Sequence, residues 1–284
     1  MARNGIPDAR DYLLGRGALY FSDDLDTDGR PKNFRHLGNA EAFTVNVETE
    51  NLEHFSTLEG LKKRDRNVIL SQALGVSMEL AEIDVENLRL FLAGENTQTA
   101  VTGASVDATP GGNPNLIVSG LGRWYDLYDN ASPSTYPPVA ADSAERVYRL
   151  TSVVVKDATD TTTYVEGTDY DLDAELGRIF IREGGSIGAT DSLLVDFDFA
   201  TLTIDEVRGL KQASLTGVLK FVSINANDAS KEIEYQFHSV SLRAEGDFAL
   251  IGDEFATLSL TGEAGENATA YPDSPTVTIR RLSA

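Results

Sequence analysis

The stretch VILSQALGVSMEL, Val68 to Leu80, decides the fold class. Val68, Leu70, Leu74, Val76, Met78 and Leu80 fall on one face, and Ser71, Ala73, Gly75, Ser77 and Glu79 on the other. That period of two predicts a long strand packed on one side only. Glu41 to Glu48 repeats the pattern, with Phe43, Val45 and Val47 opposed to Thr44, Asn46 and Glu48. Directly after the long strand, Asp84 is placed to cap a helix whose Val85, Leu88, Phe91 and Leu92 recur at helical spacing, with Gly94 as its stop. This one short helix is expected to cover a sheet.

Alternation returns further along. Val147 to Lys156, Thr162 to Val165, Arg178 to Arg182 and Ser192 to Phe199 are expected to be short strands joined by Gly and Asp turns, a small β module. Ala213 to Asn225, Glu232 to Arg243 and Phe255 to Glu263 resume long strands, and Val277 to Arg280 is a candidate last edge strand. Between the helix and the module, residues 95–146 are rich in Gly, Pro, Ser, Thr and Asn, as in TPGGNPN and NASPSTYPP, and are expected to be a linker-rich excursion. Asn115 to Val118 and Arg123 to Tyr128 are the strand-like pieces in it. The expected fold is therefore mainly β, with residues 1–94 and 205–284 forming one discontinuous core domain and residues 95–204 an inserted β module.

Composition narrows function. The 284 residues supply ample core for one large or two ordinary domains, and the absence of cysteine removes thiol nucleophiles, disulfides and Cys-ligated metals. Net charge is −21, which disfavours a phosphate-binding surface. Residues 157–199 alone hold 11 acidic and 2 basic residues. The N-terminus, MARNGIPDARDYLLG, has no apolar run of signal-peptide length, and no segment reaches the ~18 apolar residues of a membrane span. Synthesis in the cytoplasm is the expectation.

Candidate chemical motifs are weak. GGSIG, Gly184 to Gly188, fits a nucleophile elbow in letters, yet a strand pattern follows Ser186 where a helix is required. DLDTDG, Asp24 to Gly29, begins like a calcium loop, but Arg35 stands where the closing glutamate belongs. Asp196 with Asp198, and Glu232 with Glu234, are same-face carboxylate pairs that solvated strands also produce. His36, His54 and His238 are too scattered to form a metal centre, and no P-loop or dinucleotide fingerprint occurs. No catalytic, metal or cofactor-binding residues are expected, so the chain is not expected to be an enzyme. The NAS and NAT sequons at Asn130 and Asn267 carry little weight without a secretion signal. KKRDR, Lys62 to Arg66, is the one dense basic cluster, placed between the strand ending near Glu48 and that beginning at Val68. It is either a solvated loop or a contact with the acidic surface of another copy.

The order from Leu37 to Gly94 resembles the tail tube proteins of tailed bacteriophages. It runs GNAEAFTVNVE, the loop ENLEHFSTLEGLKKRDR, the strand VILSQALGVSMEL and the helix DVENLRLFLAG. The second pair of long strands at 213–243 and the ending DEFATLSLTGEAGEN extend the likeness, and TYVEGTDYDLDAELGRIFI is similar to a small β element of phage tail proteins. The resemblance implies a sandwich or barrel-forming tube fold in which each subunit gives long strands to a shared barrel. It further implies hexameric rings stacked into a tube, with double-stranded DNA passing through the lumen without specific binding. Tape-measure and tail terminator or tip proteins would be further partners, with no membrane involved, and the mature location would be the virion tail.

On that resemblance, Ser71, Ala73, Gly75, Ser77 and Glu79 are lumen-facing candidates, the opposite face packing on the helix and outer sheet. His54, Phe55, Lys62, Lys63, Arg64 and Asp65 are candidates for the loop reaching the next ring. The insertion is expected to face outward, in a long non-contractile tail. The alternative expectation is another virion or surface β protein, a decoration or receptor-binding module stabilised by calcium at Asp24, Asp26 and Asp28.

Overall fold

The computed structural model describes residues 15–56, 60–111, 113–139, 144–224 and 232–281. It is mainly β. In chain order the elements are β1 (Gly17–Ser22), β2 (Arg35–His36), β3 (Ala40–Ser56), β4 (Lys63–Leu80), α1 (Val85–Phe91), β5 (Glu95–Val101), β6 (Ala104–Val106), β7 (Leu116–Ile117) and β8 (Arg123–Asp126). They continue with β9 (Leu150–Asp157), β10 (Tyr170–Asp173), β11 (Arg178–Ile181), β12 (Ser192–Phe199), β13 (Leu202–Arg208), β14 (Leu215–Ser223), β15 (Ile233–Ala244), β16 (Leu258–Ala264) and β17 (Val277–Arg281). Two compact units result, the described residues of Met1–Thr97 with Asp205–Ala284, and Gln98–Ile204. Paired strands β5 and β13 carry the chain from one to the other and back.

The first unit is built on one antiparallel sheet in the order β2-β1-β14-β15-β16-β4-β3, with β17 in line with β16 along β15. Its core gathers Leu19, Phe21, Val76, Met78, Leu80, Leu219, Phe237, Val240, Leu242, Leu258 and Leu260 on one sheet face. Helix α1 closes over that face. Asp84 caps it, its carboxylate accepting the Asn87 amide at 2.5 Å. The buried face is turned from the expected one: Phe91 is buried and Leu88 partly so, as expected, but Leu90 is buried in place of Leu92, which is exposed. Asn87 explains the rotation. Its fully buried side chain donates to the Leu37 and Glu82 carbonyls and accepts from Arg35, so the helix turns a satisfied polar group toward the core.

The segment expected to be a loop between the first two long strands is mostly strand. β3 and β4 pair from Ala40↔Leu80 to Ser56↔Lys63, with register shifts at Glu41, at Leu70 and at Asp65, in a hairpin about 55 Å long at ~3.3 Å per residue. β16 supports β4 only from Leu74 to Leu80. Beyond Leu74 the hairpin runs free of the sheet for about 35 Å.

A register shift opposite Glu50 and Asn51 leaves Leu70 as an extra residue in β4. Such a bulge reverses the side-chain alternation after it. Val68 consequently comes opposite Leu52, on the face of Glu50 and Ser71, and Ile69 comes opposite Asn51. Val68 and Leu70 do not join Leu74, Val76, Met78 and Leu80 in packing on helix and sheet; both are exposed.

In the second unit, one sheet runs β10-β11-β8 and the other β6-β12-β7, with β9 also on β12. They share a core of Leu116, Tyr125, Ile179, Ile181, Leu193 and Val195 among others. The Gly- and Pro-rich segment is therefore part of the module rather than a linker, because β6, β7 and β8 all lie in it. Thr162 to Val165 forms no strand, only a bridge from Thr163 to Lys156; the strand that pairs with β11 on this side is Tyr170–Asp173, which the alternation does not single out. Much of the local acidity holds turns. Asp157 accepts the Thr161 and Thr162 amides and the Thr159 hydroxyl, which together hold its carboxyl well below the usual range.

Candidate assembly surface

The five lumen candidates do share one face. Ser71, Ala73, Gly75, Ser77 and Glu79 lie opposite Glu50, Glu48, Asn46, Thr44 and Ala42 of β3. On the other side Glu263, Thr261 and Ser259 of β16 lie opposite Gly75, Ser77 and Glu79. The hydroxyls and carboxylates bond across strands, Thr44 to Ser77 at 2.7 Å and Ser71 to Glu50 at 3.1 Å. This three-strand surface carries four glutamates and no lysine or arginine. It is polar, anionic and unsuited to gripping phosphate. The β3 side was legible from Thr44, Asn46 and Glu48, whereas the β16 side needed the pairing register.

The opposite face continues the core outward without cover. Val45 and Val47 lie opposite Val76 and Leu74, yet Val45 and Val47 are exposed, Val47 at 63%. Ile69, 58% exposed, is a further apolar side chain on this face past the bulge, set apart from Val47 by the polar pair Thr49 and Gln72. β3 is the last strand of its sheet, so along its outer edge no strand among the described residues receives its free backbone groups. A long, open, apolar edge is a template for pairing with another chain.

The candidates for the loop reaching a neighbour lie at the far end of this hairpin. His54 Nδ1 meets the Asp65 carboxylate at 2.6 Å, and Arg64 donates to Glu53 at 2.5 Å. The Lys62 ammonium sits 5.4 Å from the centre of the Phe55 ring. Cross-strand pairs thus stiffen a basic tip that also presents Leu61, while residues 57–59 lie outside the described residues. Lys63 closes the strand pairing opposite Ser56.

The chemical motifs are placed apart from any cluster. Ser186 stands in an exposed turn followed by β12, its amide donating to the Asp169 carboxylate at 2.7 Å. Together with the Val165 amide that contact lowers the Asp169 pKa. His238 is buried in the other unit under the Tyr271 ring, with Nε2 2.8 Å from the Thr278 hydroxyl. Asp196 pairs with Lys156 at 3.1 Å, Asp198 accepts from the Ser105 hydroxyl, and Glu234 pairs with Arg280 and Lys220. Asp24 pairs with Lys32 at 2.8 Å, and Asp26 accepts the Asp28 and Arg30 amides, so both carboxylates serve their own turn. Among the described residues no group of three or more His, Cys, Asp or Glu side chains is arranged to hold a metal ion, and no helix is long and apolar enough to cross a membrane.

Fold and surface together define a mainly β protein of two units whose first unit projects a long, half-unsupported hairpin. Over residues 12–117 and 143–274 the chain matches the family described as Protein of unknown function UCP028589, and it belongs to that family. No curated protein matches it.

Proposed function

We propose that this chain is a self-assembling structural subunit, the tube-forming protein of a bacteriophage tail. The observation that carries this is the β3–β4 hairpin, which extends about 35 Å past its sheet with an unpaired edge and an uncovered apolar stripe. Such a hairpin is costly for a protein that stays alone, because open edges invite aggregation. Closure of several copies into a ring removes the edge and covers the stripe. The tube resemblance adds the symmetry: hexameric rings, stacked, with the polar face of β3, β4 and β16 lining the lumen. A lumen with glutamates and no basic side chains lets DNA slide instead of binding it. The inserted unit decorates the outside, which suits a long tail without a contractile sheath. The role needs no cofactor and no catalytic residue; its other partners are the tape-measure protein and the proteins that end the tube.

Negative-stain images of the concentrated protein test this. Rings or hollow tubes are expected. Discrete particles at every concentration would overturn the proposal and favour a decoration or receptor-binding module.

A further inference from the structure

The hairpin tip and the loop between β15 and β16 lie at opposite ends of one sheet. β3 and β4 meet the tip at Ser56↔Lys63, while their other end, Ala40↔Leu80, lies beside Leu80↔Leu258, where β16 leaves that loop. The loop, EGDFALIGDEFAT from Glu245 to Thr257, is both fastened and open. The Glu245 amide donates to the Ser259 carbonyl at 2.9 Å, and the Phe248 ring packs 5.7 Å from Phe91 against the core. Its remaining large apolar side chains point away: Leu250 is 82% exposed, and Ile251 and Phe255 are each 98% exposed. An anchored loop that holds three bare apolar side chains in water is the composition of a contact surface.

Its charge matches the tip. Glu245, Asp247, Asp253 and Glu254 make the loop wholly acidic, and Gly60 to Arg66 carries four basic residues against one aspartate, with Arg64 also paired to Glu53 of β3. The tip likewise presents exposed Leu61, and exposed Phe55 beneath the Lys62 ammonium. The resemblance already sends the hairpin tip to the next ring; we infer that its receiver is loop 245–257, Leu250, Ile251 and Phe255 covering Leu61 and Phe55 while the loop carboxylates face the tip's basic side chains. Because donor and receiver lie at opposite ends of the same strands, the contact is head-to-tail and repeats without closing. It sets the axial direction of the assembly, whereas edge pairing sets its circumference. This inference rests on the self-assembly proposed above.

The chain has no cysteine, so a tip-to-loop contact can be trapped without background. Leu61→Cys and Ile251→Cys are placed singly and together, and folding is checked by circular dichroism. Each preparation is oxidised mildly at concentrations that sediment the unmodified protein. The double variant is expected to give a ladder of linked multimers, and the single variants none. Sedimentation without a ladder, or tip-to-tip dimers from Leu61→Cys alone, would overturn the inference and leave self-assembly standing. Absence of sedimentation at all would overturn both. Independently, Asp253→Lys with Glu254→Lys is expected to raise the half-sedimenting concentration roughly tenfold, and adding Lys62→Glu with Lys63→Glu to restore it. Failure of the swap to restore assembly counts against the pairing.

Discussion

Removing apolar surface from the free part of the hairpin should weaken assembly while sparing the fold. Val47→Ala takes away two γ-methyl groups and Ile69→Ala every carbon beyond Cβ, each carbon worth ~0.8 kcal/mol when buried. Only the fraction still open in the single chain, 63% for Val47 and 58% for Ile69, remains to be covered by a neighbour. Scaled so, the pair contributes about 2.4 kcal/mol per interface, close to a 50-fold rise in the concentration at which half the protein sediments. The folded chain itself should change by less than about 1 kcal/mol, because both side chains stand on open strand surface. Sedimentation across a dilution series reads the first quantity and urea unfolding the second. An unchanged sedimentation midpoint with an unchanged urea midpoint would refute the claim that this stripe is covered in the assembly.

Other variants test the fold beneath. Leu80→Ala, fully buried where β3, β4 and β16 meet, should cost about 2–5 kcal/mol in urea unfolding. Asp84→Ala removes the cap of α1 and should cost about 1 kcal/mol, with faster amide exchange at Asn87. Burial, and secondarily Arg280, lower the His238 pKa below its ordinary ~6.5. The unfolded chain then takes up a proton that the folded chain refuses. Stability from this group is therefore full above pH ~6.5 and declines as pH falls below it. His238→Gln should flatten that decline between pH ~6.5 and ~5, above the range where carboxylates titrate, as measured by urea midpoints against pH.

The alternation from Leu74 to Leu80 was legible because core and solvent faces differ in polarity at every step, and the helix after it because Asp84 and the apolar spacing agree. What was not legible depends on partners distant in sequence. The strand does not announce the bulge at Leu70, since Val68 and Leu70 continue the apolar beat; only the register against Glu50 and Asn51 reverses it. ENLEHFS looks like a loop because a strand wet on both faces has no apolar alternation to show. Leu90 rather than Leu92 is buried because Asn87 must reach the Leu37 and Glu82 carbonyls. Ser71, Ala73, Gly75, Ser77 and Glu79 were brought together as a strand pattern requires. Nothing in EGDFALIGDEF distinguishes the anchored Phe248 from the bare Phe255; that distinction comes from Phe91, far away in the chain.

Hydrogen–deuterium exchange on assembled and dissociated protein measures most directly whether copies meet along the free hairpin. Amides of Val45–Ser56 and Lys63–Ala73 are expected to become strongly protected on assembly, while those of β14 and β15, already paired on both sides, change little. Assemblies in which the hairpin amides exchange as fast as in the dissociated chain would contradict that expectation.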